Sequence, residues 1–206
     1  IWHRKAIEVN PYFAEAHSNL GNILRDLSKL KEAELSYRKG IEINPDYAMA
    51  HYDLGRIYND LGNLQEAKFS TLKAIELNPN LAEAHCNLAN IFSYLDKSKE
   101  AELSLIKAIE LNPNLAEAHY NLGSLFREYN KLKEAEISTR KAIKLNPNLE
   151  WAHSNLGLIL NDLGNEKEAI FSLKKATEIK PNSPEISYNL ICTLKKCTLT
   201  IRHTTT

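Results

Sequence analysis

Little in this chain could carry covalent chemistry. Its 206 residues hold three cysteines, Cys86, Cys192 and Cys197, without a Cys-x-x-Cys pair, and an odd number makes a poor disulfide framework. A reducing, cytoplasmic setting is the expectation, and the absence of any Asn-x-Ser/Thr acceptor agrees with it. Net charge is absent as well. Lys and Arg number 26 and Asp and Glu number 26, so no overall field draws the chain to nucleic acid or to an anionic membrane. No stretch approaches the roughly 18 consecutive apolar residues of a membrane span. A glycine-rich phosphate loop, a Gly-x-Ser-x-Gly elbow and a His-Glu-x-x-His helix are all missing, so no catalysis, no cofactor and no metal site are expected.

What is present is a repeat. Asn10-Pro11, Asn44-Pro45, Asn78-Pro79, Asn112-Pro113 and Asn146-Pro147 stand 34 residues apart, and Lys180-Pro181 continues the series. A period of 20 to 50 residues means stacked supersecondary units. Aligned at this period, small residues fall in columns: Gly21, Gly55, Ala89, Gly123 and Gly157; Ala33, Ala67, Ala101, Ala135 and Ala169; Ala6, Gly40, Ala74, Ala108, Ala142 and Ala176. Glycine inside a helix costs about 1 kcal/mol, which close approach of two helix axes would offset, so these columns mark helix crossings. Larger apolar residues such as Leu122, Leu125 and Phe126 fill the helical period between them.

Each unit reads as helix, turn, helix. Asn80-Leu-Ala-Glu83 and Asn114-Leu-Ala-Glu117 have the form of capping boxes opening the first helix. Ser28, Gly62, Asp96, Asn130 and Gly164 share a mid-unit column suited to the left-handed conformation that ends a helix. Glu34 with Arg38 and Glu136 with Arg140 are spaced to pair along the second helix, which reads as a solvated face.

The pattern His17-x-x-Leu20-Gly21-x-x-Leu24, Ala33-x-x-x-Tyr37, Pro45 resembles the tetratricopeptide repeat (TPR). The resemblance implies an all-α fold, a right-handed TPR superhelix or α-solenoid of helix-turn-helix repeats. Five full copies fill residues 14–183; residues 1–13 hold the second helix of a truncated copy and residues 184–197 the first helix of a sixth. Residues 198–206 have no repeat pattern and are expected to be an irregular, frayed tail. Because the chain opens at Ile1 in mid-repeat, further sequence is expected upstream.

Five histidines, His17, His51, His85, His119 and His153, occur one per repeat, too far apart to share a metal, in the column where the family usually packs a Trp. A polar column inside the first helices is more telling: Asn19, Asp53, Asn87, Asn121, Asn155 and Asn189. Asn is a mediocre helix former, so its recurrence asks for a reason. The resemblance implies that the column faces the concave side, where an amide that donates and accepts could hold a peptide backbone, much like the asparagine ladder of O-linked N-acetylglucosamine transferases. The alternative is that each Asn only bonds a neighbouring helix. Variable columns beside it, including Tyr52, Arg56, Tyr120, Trp151 and Leu158, complete a candidate peptide groove, with Trp151 as aromatic anchor.

Over the five complete repeats the presumed groove carries Glu15, Asp26, Asp53, Asp60, Glu83, Glu117, Glu128 and Asp162 against Arg25, Arg56 and Arg127. Its field should favour an extended, neutral-to-basic protein segment. A protein-binding scaffold is therefore the leading function. The alternatives are the substrate-recruiting segment of a larger transferase, and self-association through the end helices, where Ile186, Leu190, Ile191 and Leu194 form an apolar face.

Overall fold

The computed structural model describes residues 9–204, with side chains described for 9–197. The second helix expected over the first nine residues lies, but for Val9, outside the described residues. Every regular element among the described residues is an α-helix. In chain order these are α1 (Ala14–Asp26), α2 (Leu30–Ile43), α3 (Ala48–Asp60), α4 (Leu64–Leu77), α5 (Ala82–Tyr94), α6 (Ser98–Leu111), α7 (Ala116–Glu128), α8 (Leu132–Leu145), α9 (Glu150–Asp162), α10 (Glu166–Ile179) and α11 (Pro184–Thr204). They form two compact units, Ile1–Asn112 with α1 to α6 and Pro113–Thr206 with α7 to α11.

Within each unit the first helix of a repeat packs on its own second helix and on the second helix of the repeat before it. The backbones of neighbouring first helices also approach, as α1 with α3 and α7 with α9, whereas those of neighbouring second helices such as α2 and α4 stay further apart. First helices thus line the inner side of each stack and second helices the outer side. The crossings are made where small residues were expected. Ala33, Ala67, Ala101, Ala135 and Ala169 are fully buried, and a Cβ added to Gly55 or Gly123 would collide with the Oγ1 of Thr71 or Thr139. The second helix approaches so closely that its own side chain occupies the place of the missing methyl.

Helix ends follow local chemistry. Ser28, Asp96 and Asn130 have φ of 59, 56 and 56°, and Gly62 and Gly164 have 76 and 81°. At each, paired backbone bonds close the end, for example Lys29 N–H to Leu24 O and Ser28 N–H to Arg25 O, both 2.8 Å. This is the Schellman arrangement. The expected capping boxes do not form. The helices open after Leu81 and Leu115, and neither start has a side-chain cap. Instead Asn78 accepts the Asn80 N–H on its own Oδ1 at 3.2 Å, so the Asn of Asn-Pro organises the turn and Asn80 sits within it.

The helix α11 starts at Pro184, with the Ile186 N–H on Ser183 Oγ at 3.4 Å, and continues past Cys197 to Thr204, where an irregular tail was expected. Nothing between Cys197 and Thr204 is Gly or Pro, so the loss of the repeat pattern supplies no helix breaker. Ile191 stands there in the small-residue column and is half-exposed. A small side chain is needed in that column only where the repeat's own second helix crosses, and no helix follows α11 among the described residues.

Candidate functional site

In every repeat the ring Nε2 of the histidine hydrogen-bonds the proline carbonyl six residues earlier: His17 to Pro11, His51 to Pro45, His85 to Pro79, His119 to Pro113 and His153 to Pro147, at 2.8 to 3.1 Å. The N–H donates and the carbonyl accepts. The column pins the inter-repeat turn onto the first helix, a polar replacement for the bulky residue that packs there in the family. Among the described residues no group of three or more His, Cys, Asp or Glu is placed to hold a metal ion. Nor, among them, is any helix long and apolar enough to cross a membrane.

The asparagine column is drawn toward the protein. In the first unit Asn87 is only 8% exposed, and its Nδ2 donates to Thr71 Oγ1 at 2.9 Å. In the second unit Asn155 is 7% exposed and its Nδ2 donates to Thr139 Oγ1 at 3.3 Å, while Asn189 reaches Ser154 Oγ at 3.5 Å. Those threonines are the residues that fill the space above Gly55 and Gly123. One polar pair therefore ties each of these first helices, α5 and α9, to the second helix before it, which is the bond to a neighbouring helix that the sequence left open. Asn19 is exposed and Asn121 half-buried. An Asn uses one N–H in such a pair and keeps its Oδ1 and a second N–H for other contacts.

Asp53 replaces Asn in this column and changes the local chemistry. It is 4% exposed, with Arg25 Nη1 at 3.8 Å and Arg56 Nη1 at 3.9 Å. Asn22 bonds Asp53 and accepts the Tyr37 hydroxyl at 2.8 Å. Burial pushes the Asp53 carboxyl above its ordinary range, and the distant arginines oppose this only in part. Burial, with Asp53 second, likewise raises the Tyr37 phenol, which stays protonated.

The variable residues lie on the inner side with varied freedom. Tyr52 is half-buried beneath the Arg56 guanidinium, 5.6 Å from its ring centre. In the second unit Tyr120 and Leu158 are half-buried, and Trp151 has Lys180 Nζ 4.7 Å from its ring centre, the same ammonium pairing with Glu150 at 3.1 Å. One face of the candidate anchor is therefore already covered by a cation. Arg127 is held by Asp162 at 2.9 Å. Glu15, Asp60, Glu83, Glu117 and Glu128 have no ion pair among the described residues.

The outer side holds what the sequence reading missed. Leu35, Phe69, Leu103, Ile137 and Phe171, one per second helix, are 62 to 74% exposed. Their signal is the same 34-residue spacing that reveals the core, masked by the charge that marks these helices as a solvated face. Between α2 and α4 this surface opens into a cleft of about 650 Å3, floored by Ile41, Leu54 and Tyr58 and walled by Phe69.

Compared with known proteins, residues 21–62 match the TPR repeat, and residues 48–81, 82–115, 116–149 and 152–183 match the tetratricopeptide repeat. A sequence search of curated proteins gives no match. Solved structures are similar over most of the chain. YrrB, described as a TPR protein with an unusual peptide-binding site, is 27% identical with a TM-score of 0.60, covering 90% of this chain and 96% of YrrB. The protein MamA is 27% identical with a TM-score of 0.62, covering 82% and 92%. TTC0263, a TPR protein of Thermus thermophilus, shares the fold at 21% identity and a TM-score of 0.77, covering 88% and 98%. Repeat length, helix pairing, small-residue crossings and these matches agree: the chain belongs to the tetratricopeptide repeat family.

Proposed function

We infer that the chain is a protein-interaction scaffold whose inner, first-helix faces bind extended protein segments of neutral to basic character. The observation that carries this is charge. On those faces Arg25, Arg56 and Arg127 are engaged with Asp53 and Asp162, while Glu15, Asp60, Glu83, Glu117 and Glu128 remain without a cation among the described residues. A basic segment supplies the missing counter-charges and an acidic one is repelled. The peptide-binding site of YrrB, on a chain of like length and repeat, supports the class of ligand. In the first unit the exposed Asn19 and the half-buried Tyr52, and in the second the half-buried Asn121 and Trp151, are the residues proposed to meet such a segment.

The test is a pull-down with the full chain, followed by titration of the captured segment against Tyr52→Ala, Trp151→Ala and Glu83→Gln/Glu117→Gln variants. Binding should weaken in each, and added salt should weaken it further. Capture of acidic segments, or binding indifferent to all three variants, would overturn the reading. A second reading, self-association through the end helix, is favoured by the exposed Tyr188, Ile191 and Leu194 of α11. Sedimentation of Ile191→Lys against the parent chain decides it, since an unchanged monomer in both removes the idea.

A further inference from the structure

The outer cleft between α2 and α4 corresponds in repeat register to the space between α8 and α10, and the ion pairs at the two places differ. In the second unit Arg140 takes Glu136 on its own helix at 2.8 Å and reaches across to Glu168 on α10. The bridge spans the space between the two second helices. In the first unit the corresponding residues are Arg38, Glu34 and Glu66, and Arg38 keeps only the local partner, Glu34, at 2.9 Å. Its other nitrogen donates to the Tyr58 hydroxyl, which in turn donates to Glu34 at 3.1 Å. Position 160 of the second unit, which matches Tyr58, is Leu and offers no acceptor. The Tyr58 hydroxyl holds Arg38 down against α3, and Glu66 is left at the rim of the open cleft without a cation among the described residues.

We propose that this cleft is a second, outer binding site, taking a protein segment in which an arginine stands beside an apolar side chain. The apolar side chain enters over Ile41, Leu54 and Tyr58 beside Phe69, and the guanidinium meets Glu66. The charge argument is internal to the molecule, because the equivalent carboxylate, Glu168, is satisfied by an arginine in the second unit. A planar guanidinium matches a carboxylate fork better than an ammonium does. The other carboxylate at the rim, Glu42, already has Lys39 at 2.9 Å, so Glu66 sets the preference.

The test uses the 15N-labelled full chain and two probe peptides at millimolar concentration, acetyl-Ala-Leu-Arg-Ala-amide and its counterpart with Glu in place of Arg. The Arg peptide should shift amides of α2, α3 and α4 around Ile41, Leu54 and Phe69, with affinity about threefold above the Glu peptide, as befits an exposed ion pair. Glu66→Gln should erase that preference while keeping the shifts. Tyr58→Leu, which copies Leu160, should free Arg38 to pair with Glu66 and remove the shifts altogether. Equal binding of the two peptides, shifts confined to the inner first-helix faces, no shifts at all, or an unaltered response in Tyr58→Leu would each overturn the proposal.

Discussion

Between α2 and α4 the outer surface is open, and between α8 and α10 it is bridged, although both places carry Arg, Ile, His, Leu, Glu, Phe and Ser in register. Three lining positions differ, Tyr58 against Leu160, Glu42 against Lys144 and Gln65 against Lys167, and of these it is the Tyr58 hydroxyl that takes the arginine. Where the first helix offers Tyr58, the arginine turns inward; where it offers Leu160, the arginine spans to the next second helix. Repeats with the same core therefore present different surfaces, since a long charged side chain chooses among partners whose energies differ by little.

The largest effects should not distinguish the two places. Ala67→Leu in α4 and Ala169→Leu in α10 overpack crossings that are equally buried, and each should cost about 1 to 3 kcal/mol in urea melts. A neutral result at either would show that its crossing is not tight. The next effect should differ slightly. Thr71→Val strands an Asn87 N–H now bonded at 2.9 Å, and Thr139→Val strands Asn155 at 3.3 Å, so each should cost about 1 kcal/mol with the first the larger. Equal stability of the variants and the parent would mean that water replaces the hydroxyl. By the same bonds, replacing Asn87 or Asn155 with Ala carries a stability cost, so such variants do not report on binding alone.

Asp53, where the second unit has Asn, gives a contrast that depends on pH. Its carboxyl is raised in the folded state, so the fold holds this proton more tightly than the unfolded chain. Stability from this group is full at low pH and falls as pH rises through and above the ordinary value of 3.8. Asp53→Asn should therefore stabilise the chain at pH 7, by a margin that shrinks as pH approaches 3. A margin that grows on acidification would contradict the burial argument. The smallest effect is the sharpest test of the opening contrast: a double-mutant cycle on Arg140 and Glu168 should give a coupling of about 0.2 to 1 kcal/mol. Arg38 with Glu66 should give none in the parent chain and a similar coupling in the Tyr58→Leu background.

The repeat, its helix pairs and the left-handed turn residues were legible because they depend on neighbours in sequence or on a strict period. Ser28, Gly62, Asp96, Asn130 and Gly164 all adopt the conformation their residue types allow. The capping boxes misled because Asn78 and Asn80 compete for one turn, and the Asn next to Pro takes it. The histidine and asparagine columns were visible as columns, but their partners were not. His85 finds a carbonyl six residues back, and Asn87 finds Thr71 sixteen residues back, across a helix boundary.

Periodicity alone determined the fold class, the repeat boundaries and the small-residue crossings, since packing identical units demands identical spacing. Which polar groups are consumed by the structure and which stay available was decided only by the tertiary arrangement. Side chains of α2 and α3, Glu34 and Tyr58, take Arg38 and leave Glu66 of α4 without it, and that order of preference is a property of the packed helices.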